Sequence, residues 1–214
     1  MRLGLSARRA PYRSAIIGVD PIPSWPVNAF MKTERLVIPD VLLLTPRVLR
    51  DVRGYFLETY RQQVLDDALG RPVRFTQDNE SLSAYGVIRG LHYQLPPWGQ
   101  SKLVRVVQGR VRDVVVDLRK SSPTFGQSLQ IELDAEKKQM LFIPVGFAHG
   151  FAVLSEQAIF SYKTDTPYAP EAERGVAFDD PQLNIDWRVP GEQRLLAERD
   201  RHFPAFAALQ DLYP

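Results

Sequence analysis

A histidine, an arginine and a tyrosine lie close together in residues 87–94, whose sequence is VIRGLHYQ. The chain has three histidines, and histidine is the side chain whose ordinary pKa lies nearest neutral pH. His92 is therefore a candidate general base held in a pocket. The segment alone fits equally well a histidine that is hydrogen-bonded within the core, so other parts of the chain must decide.

A second histidine, His149, follows a Pro-x-Gly sequence within residues 143–151, IPVGFAHGF. This stretch is similar to the second half of the cupin sequence pattern, whose first half normally supplies His-x-His and a glutamate for a metal. Here the first half is His92-Tyr93-Gln94, which lacks the second imidazole. A zinc or iron site with three protein ligands is therefore difficult to assemble. We interpret the site as free of metal.

The composition is that of an ordinary globular protein without cysteine. Hydrophobic residues make up 44% and charged residues 24% of the 214 residues, which allows one domain with a sizeable core. The absence of cysteine excludes disulfides, thiolate metal sites and a cysteine nucleophile, and it suits a reducing cytoplasm. The apolar runs are too short to span a bilayer. We expect a soluble, cytoplasmic protein that does not bind membranes.

Positive charge is concentrated at the N-terminus. The net charge is +2, but residues 1–30 hold four arginines and one aspartate, which leaves the remaining chain nearly neutral. A nucleic-acid-binding domain would carry its basic face on the folded part, so we expect no nucleic-acid partner. Residues 1–30 also lack the apolar core of a secretory signal. We interpret them as a disordered or over-long extension and predict a single domain over residues 31–214.

Short apolar and β-branched runs separated by turn residues predict about ten strands: residues 37–44, 55–59, 74–77, 87–93, 102–107, 111–118, 128–133, 140–143, 151–154 and 158–164. Residues 61–69 and 192–212 instead predict helices, and Gln108-Gly109 between two valine-rich runs predicts a tight hairpin. No internal repeat or GxGxxG motif is present, which excludes propeller and dinucleotide-binding folds. The pattern predicts an all-β double-sheet jelly roll or barrel, whose mouth commonly holds a ligand.

A series of motifs runs through the chain: DVRGYFLE (51–58), QDN (77–79), RGLHYQ (89–94), KLVR (102–105), residues 119–126, FAHGF (147–151), YKT (162–164) and residues 168–173. In this order, over roughly residues 32–206, they resemble the dTDP-4-dehydrorhamnose 3,5-epimerase family. The whole series is far more specific than any single motif. The resemblance implies a cupin jelly roll, a double-stranded β-helix with short peripheral helices. It also implies an enzyme without cofactor that is usually a homodimer.

Such chemistry requires a specific set of catalytic groups. Inverting carbons 3 and 5 of a 4-keto sugar requires a base, a cation near the keto oxygen, and an acid across the ring. The resemblance implies that His92 is the base and that Asp200 orients its ring. It implies that Lys102 stabilises the enolate oxygen and that Tyr162 is the acid. Taken singly, a strand lysine is usually a solvated charge and a strand tyrosine usually packs in the core.

A nucleoside diphosphate sugar also needs hydrogen-bond donors for its phosphates and an aromatic plane for its base. The resemblance implies that Tyr168 stacks on thymine. It assigns the remaining substrate contacts to Arg53, Glu58, Gln77, Asp78, Asn79, Arg89, His149, Glu173 and Arg199. His202 lies beyond the matched positions, and we expect it on the surface of the last helix.

The sequence departs from the family pattern at several positions. Ser101 precedes Lys102 where the family has glycine, Glu80 replaces a frequent histidine, and Phe142 replaces tryptophan. Two alternatives to the 3,5-epimerase therefore stay open. One is a related dTDP-4-keto-sugar isomerase that inverts a single carbon or moves the ketone between carbons 3 and 4. The other is a cupin that binds a nucleotide sugar without catalysis.

Overall fold

A computed structural model describes residues 30–214, and two antiparallel sheets form its body. The strands are β1 (Met31–Arg35), β2 (Leu42–Pro46), β3 (Val48–Asp51), β4 (Gly54–Leu57), β5 (Gln77–Ala84), β6 (Ile88–Gln94), β7 (Lys102–Gln108), β8 (Arg110–Asp117), β9 (Ser128–Asp134), β10 (Met140–Ile143), β11 (Phe147–Val153), β12 (Gln157–Thr164) and β13 (Glu173–Gly175). One sheet has the order β1-β2-β10-β7-β12-β5, and the other has the order β13-β6-β11-β8-β9. Strands β3 and β4 form a separate hairpin.

The helices are short and peripheral. They are α1 (Gln62–Leu69) and 3-10 turns at Pro170–Ala172, Gly191–Gln193, Glu198–Arg201 and Phe206–Ala208. Helix α1 buries Val64 and Leu65 against the six-stranded sheet, in a cluster with Leu42 and Phe142. The predicted all-β jelly roll with short peripheral helices is confirmed, as is the helix expected over residues 61–69.

The core has one apolar layer between the sheets, a second behind the five-stranded sheet, and a third between α1 and the six-stranded sheet. In β8, Val111 and Val115 belong to the first layer, while Val114 and Val116 belong to the second. Alternate residues of a strand point to opposite faces, so a strand buried on both faces must be apolar almost throughout. The C-terminal segment, including Trp187, provides the second layer. The same segment returns to the mouth of the jelly roll.

Two predictions from the sequence are wrong: the hairpin at Gly109 and the helix over residues 192–212. Gly109 does not close a hairpin, because β7 lies in the six-stranded sheet and β8 in the five-stranded sheet, so this turn carries the chain from one sheet to the other. Residues 192–212 do not form one helix; they form separate short turns. Pro204 interrupts any helix there, since proline lacks the N–H that a helix interior requires. Leu195 instead pairs with Val87. His202 is exposed as expected, but at the end of a 3-10 turn.

Several strand limits also differ from expectation. Strand β5 covers residues 77–84 rather than 74–77, and β11 begins at Phe147 instead of residue 151. Residues 1–29 of the expected extension lie outside the described residues. Phe30, the last residue of that extension, is buried, and its carbonyl accepts a hydrogen bond from the backbone N–H of Arg47. The described domain therefore includes this residue.

Candidate active site

The two sheets meet around a cavity of about 740 Å³, which adjoins a smaller cavity of about 330 Å³. His92, Lys102 and Tyr162 line both cavities. His92 lies on β6 of the five-stranded sheet, whereas Lys102 and Tyr162 lie on β7 and β12 of the six-stranded sheet. A ligand between the sheets would therefore have the imidazole on one side and the ammonium and phenol on the other.

Fourteen residues were predicted from the sequence to form the site. Twelve of them line one or both cavities. The lining includes the four proposed catalytic residues and eight proposed binding residues: Gln77, Asp78, Asn79, Arg89, His149, Tyr168, Glu173 and Arg199. Arg53 and Glu58 do not line either cavity. The Arg53 side chain is 87% exposed and pairs with Asp51, and Glu58 pairs with Arg61. Their predicted binding roles are not explained within one copy of the chain.

His92 and Asp200 form a hydrogen-bonded dyad. His92 Nε2 lies 2.9 Å from Asp200 Oδ1, and the side chain of Asp200 is only 3% exposed. Burial alone would raise the pKa of Asp200, but hydrogen bonds from His92 and from the backbone N–H of Gly90 outweigh it and lower the pKa. Asp200 is therefore ionised and accepts the Nε2 proton, which leaves His92 Nδ1 as the basic nitrogen.

The backbone beside this dyad approaches the neighbouring strand unusually closely. Gly90 has φ +120°, and a Cβ there would lie 2.6 Å from the Cα of Gly150 on β11. Glycine is required at such a position, because other residues rarely adopt this φ and a side chain would have no space. The contact holds β6 against β11, where His92 and His149 are paired residues. Both imidazoles are thereby brought to the same cavity.

Lys102 lies at the start of β7 and faces the cavity. Burial lowers the pKa of its ammonium to about 8, against the smaller opposing effects of Glu173 and Asp113. Desolvation disfavours the charged form of a lysine, and nearby carboxylates favour it. The ammonium is charged at neutral pH, and it is far more easily discharged than a surface lysine.

Tyr162 is partly buried on β12 and can supply a proton. Burial raises the pKa of its phenol above the ordinary value of 10, and the positive charge of Arg89 opposes that effect. A phenol in this state keeps its proton at neutral pH. It is therefore suited to donate that proton to a strongly basic enolate carbon rather than to serve as a base.

Asp113 is a site residue that sequence reasoning missed. Its carboxylate lies 3.0 Å from His149 Nε2, and the two side chains are 0% and 7% exposed. This pairing leaves His149 Nδ1 as the ring nitrogen available to a ligand. The available signal was a charged residue inside the apolar run of β8, because an acidic side chain is rarely fully buried without a partner.

Gln94 was also missed, although it holds the loops around Tyr168. Its amide N–H donors bind the carbonyls of Trp98 and Pro167, and its carbonyl accepts the backbone N–H of Ala169. A buried amide that satisfies three backbone groups fixes the loops that it joins. The exposed ring of Tyr168 is thereby presented at the smaller cavity.

A polar network surrounds that tyrosine. The Tyr168 hydroxyl donates to Glu173 Oε2 at 2.8 Å, and Arg199 Nη1 donates to the same oxygen at 2.7 Å. Arg199 Nε also lies 3.4 Å from Asp200 Oδ1. One guanidinium thus connects the carboxylate of the dyad to the aromatic residue at the smaller cavity.

Ser101, one of the departures from the family pattern, is fully buried and does not line either cavity. Its backbone N–H donates to Asp165 Oδ1 at 2.7 Å.

Within residues 30–214, we find no cluster of three or more histidine, cysteine, aspartate or glutamate side chains that could hold a metal ion. In the same part of the chain, no helix is long and apolar enough to cross a membrane.

Fold and cavity together define a cupin jelly roll with a polar cavity between its sheets, lined by a histidine–aspartate dyad, a lysine and a tyrosine. Residues 35–208 match the family model described as dTDP-4-dehydrorhamnose 3,5-epimerase. An enzyme of that name from Pseudomonas aeruginosa is 55% identical over 177 residues, which are 83% of this chain and 97% of the relative. A dTDP-4-dehydrorhamnose 3-epimerase from Streptomyces niveus is 40% identical over 181 residues, which are 85% of this chain and 86% of the relative.

A solved structure extends the comparison. The dTDP-6-deoxy-D-glucose-3,5-epimerase of Legionella pneumophila, crystallised with dTDP-4-keto-L-rhamnose, is 42% identical and superposes with a TM-score of 0.82. The alignment covers 86% of this chain and 97% of that structure. The chain belongs to the dTDP-4-dehydrorhamnose 3,5-epimerase family of isomerases.

Proposed function

We propose that this protein inverts carbons 3 and 5 of dTDP-4-dehydro-6-deoxy-D-glucose and thereby forms dTDP-4-dehydro-L-rhamnose. The observation that carries the proposal is the placement of His92 opposite Lys102 and Tyr162, on different sheets of one cavity. Inversion requires proton removal from one face of the sugar and proton return to the other. Groups on a single wall could not perform both steps on a ligand held in one orientation.

In this mechanism, His92 Nδ1 takes the proton from the carbon next to the ketone. The resulting enolate oxygen is stabilised by the Lys102 ammonium, and Tyr162 delivers a proton to the opposite face of the same carbon. Asp200 holds the imidazole and stabilises the imidazolium that forms. Proton exchange with solvent then restores the neutral imidazole of His92 and the phenol of Tyr162, and the same steps at the second carbon complete the reaction, which consumes no cofactor.

The binding residues divide by the chemistry of the substrate. We assign Tyr168 to stacking on thymine, since its ring is 49% exposed at the smaller cavity. We assign Arg89 and Arg199 to the diphosphate, because guanidinium groups bind phosphate oxygens through paired donors. His149, held by Asp113, offers a further contact to the sugar or a phosphate.

The test is incubation with the 4-keto sugar nucleotide in heavy water, with deuterium at carbons 3 and 5 followed by NMR. We expect deuterium at both carbons and an L-configured product. The Streptomyces niveus relative, named as a 3-epimerase, makes single-carbon inversion the second candidate. Exchange at carbon 3 alone would establish that alternative, and exchange at neither carbon would leave a binding protein.

We also propose that the protein acts as a cytoplasmic homodimer. Strand β5 ends the six-stranded sheet next to the cavity, and the β3–β4 hairpin pairs with no other strand in residues 30–214. An isolated two-stranded hairpin is marginally stable, and an unpaired sheet edge favours strand addition. The hairpin exposes Tyr55 and Phe56. Its addition to β5 of a second copy would bring Arg53 near that copy's cavity.

Subunit complementation tests this arrangement. We expect Arg53→Ala and His92→Ala to be nearly inactive separately and to regain up to about one quarter of native activity after mixing and exchange of subunits. Half of all dimers are then mixed, and each mixed dimer holds one complete site of its two. Light scattering that shows a monomer, or mixtures that stay inactive although mixed dimers form, would refute the shared site.

A further inference from the structure

Phe203 packs against the imidazole of the proposed catalytic base. The ring centroids of Phe203 and His92 are 5.6 Å apart, and the rings are nearly perpendicular at 79°. Phe203 follows the turn Glu198–Arg201, which carries Asp200. One short segment therefore supplies both the carboxylate that binds His92 and an aromatic ring that contacts it.

The Phe203 ring occupies a position that Gly175 leaves open. Gly175 on β13 is the paired residue of His92 on β6, and paired residues of an antiparallel sheet place their side chains side by side. A Cβ at Gly175 would lie 2.4 Å from Phe203 Cδ2 and Cε2. The ring thus takes the place of the missing side chain, directly beside the imidazole.

The chain on each side of Phe203 is held in place. The carbonyl of Pro204 accepts a hydrogen bond of 2.9 Å from the backbone N–H of Ala177, two residues beyond Gly175. The backbone N–H of Phe206 donates to the buried carboxylate of Asp180 at 2.7 Å. These bonds fix the segment against β13, so the ring is not a freely moving surface side chain.

Phe203 also separates two spaces. It lines a surface cavity of about 270 Å³, together with Tyr93, Gly175 and Leu209. It does not line the larger or the smaller cavity of the candidate active site, which we call the catalytic cavities. His92 lines the catalytic cavities and does not line the surface cavity. The aromatic ring therefore stands between the rear of the His92–Asp200 dyad and a solvent-accessible hollow.

We propose that Phe203 is a positioning residue, which fixes the orientation of the His92 ring and excludes water from the rear of the dyad. The inference deepens the proposed function and rests on it for the catalytic role of His92. An imidazole that takes a proton from carbon must hold its nitrogen within hydrogen-bonding reach of that proton. Asp200 fixes one ring nitrogen, and the Phe203 ring restricts rotation about that hydrogen bond.

The first test compares Phe203→Ala with Phe203→Leu, which keeps apolar bulk, and with Phe125→Ala as a matched control. Phe125 packs on Phe206 and lies outside both catalytic cavities. We expect Phe203→Ala to lower kcat about 10- to 100-fold with little change in KM, because small misplacements of a catalytic group are costly. Phe203→Leu should recover most of that loss, and Phe125→Ala should leave kcat unchanged.

A second variant disturbs the same contact from the opposite side. Gly175→Ala adds a methyl group where the Phe203 ring lies, so we expect it to displace the ring and lower kcat similarly. The double variant Gly175→Ala, Phe203→Ala should be no slower than either single variant, since both remove one interaction. Additive losses would overturn the proposal. If Phe203→Ala folds poorly, Gly175→Ala alone still tests it, and a native kcat in that variant would overturn it.

A readout independent of turnover is the NMR signal of the His92 Nε2 proton, identified by its loss in His92→Gln. In the native protein this proton should exchange slowly with water, and in Phe203→Ala it should broaden. A sharp signal together with kcat within twofold of native in Phe203→Ala would overturn the proposal. If the native protein forms no epimer, the proposed function fails, while the proton signal still decides whether Phe203 shields the dyad.

Discussion

We propose that Lys102 combines a catalytic role with a cost in folding stability, and Lys102→Met separates the two effects. The pKa of about 8, against the ordinary 10.5, corresponds to about 3 kcal/mol at 1.36 kcal/mol per pKa unit. Water in the cavity screens part of this cost, so we expect about 1–3 kcal/mol. Methionine has similar bulk and no charge. We therefore expect Lys102→Met to be more stable at pH 7 and catalytically inactive.

The pH dependence follows from the direction of the shift. Between the folded pKa of about 8 and the unfolded value of 10.5, the folded state binds fewer protons, so native stability rises with pH in this range. Below pH 8 the full cost of the buried ammonium is present. The advantage of Lys102→Met should therefore be largest at pH 7 and should disappear near pH 10.5.

Urea unfolding at several pH values measures this difference, with Lys32→Met as the control. Lys32 is a strand lysine whose side chain is 69% exposed, so its replacement should change stability by less than about 0.5 kcal/mol. The kcat/KM of the native enzyme should fall as the pH rises through about 8, because the charged ammonium is lost. A flat profile from pH 7 to 9.5, or a destabilised Lys102→Met at pH 7, would refute this reasoning.

Four further outcomes are expected. His92→Ala should lower kcat by roughly two to four orders of magnitude, and Asp200→Asn should lower it less; unchanged kcat in both would remove the dyad from the mechanism. Tyr162→Phe should place deuterium from heavy water into recovered substrate faster than it forms epimer, because the imidazolium returns a proton to its original face; epimerisation at the native rate would require another acid. Dialysis against a chelator should leave the rate unchanged, and rescue by zinc or iron after a loss would refute a metal-free site. Deletion of residues 1–29 should leave melting temperature and rate within error, and a clear fall in either would show that this segment contributes.

Motifs in family order predicted most of the lining of the cavity, but they did not predict what holds that lining in place. His92 and Tyr162 lie in motifs that can be recognised along the chain. The supporting contacts of Asp113, Gln94 and Phe203 join residues that are 36, 75 and 111 positions apart. Their partners depend on which strands become neighbours, and periodicity within one strand does not contain that information.

A strand was predicted over residues 74–77, whereas β5 covers residues 77–84, and this error has a related cause. Gln77, Asn79 and Ser81 alternate inward along this strand, but they face a cavity rather than an apolar core. The usual alternation of apolar and polar residues is therefore replaced by polar residues on both faces. A strand that lines a polar ligand site gives no hydrophobic period, so the pattern that identifies core strands cannot identify it.

The wrongly predicted C-terminal helix follows the same physical logic. Leucines and charged residues within 192–212 have good helical propensity, yet Leu195 forms an isolated bridge with Val87 and Asp200 turns inward to His92. A continuous helix would fix these side chains at helical spacing and could not also place Phe203 over Gly175. Local propensity fails at this segment because the cavity requires three different orientations within nine residues. Departures from local sequence rules are expected where function, rather than core packing, determines the backbone.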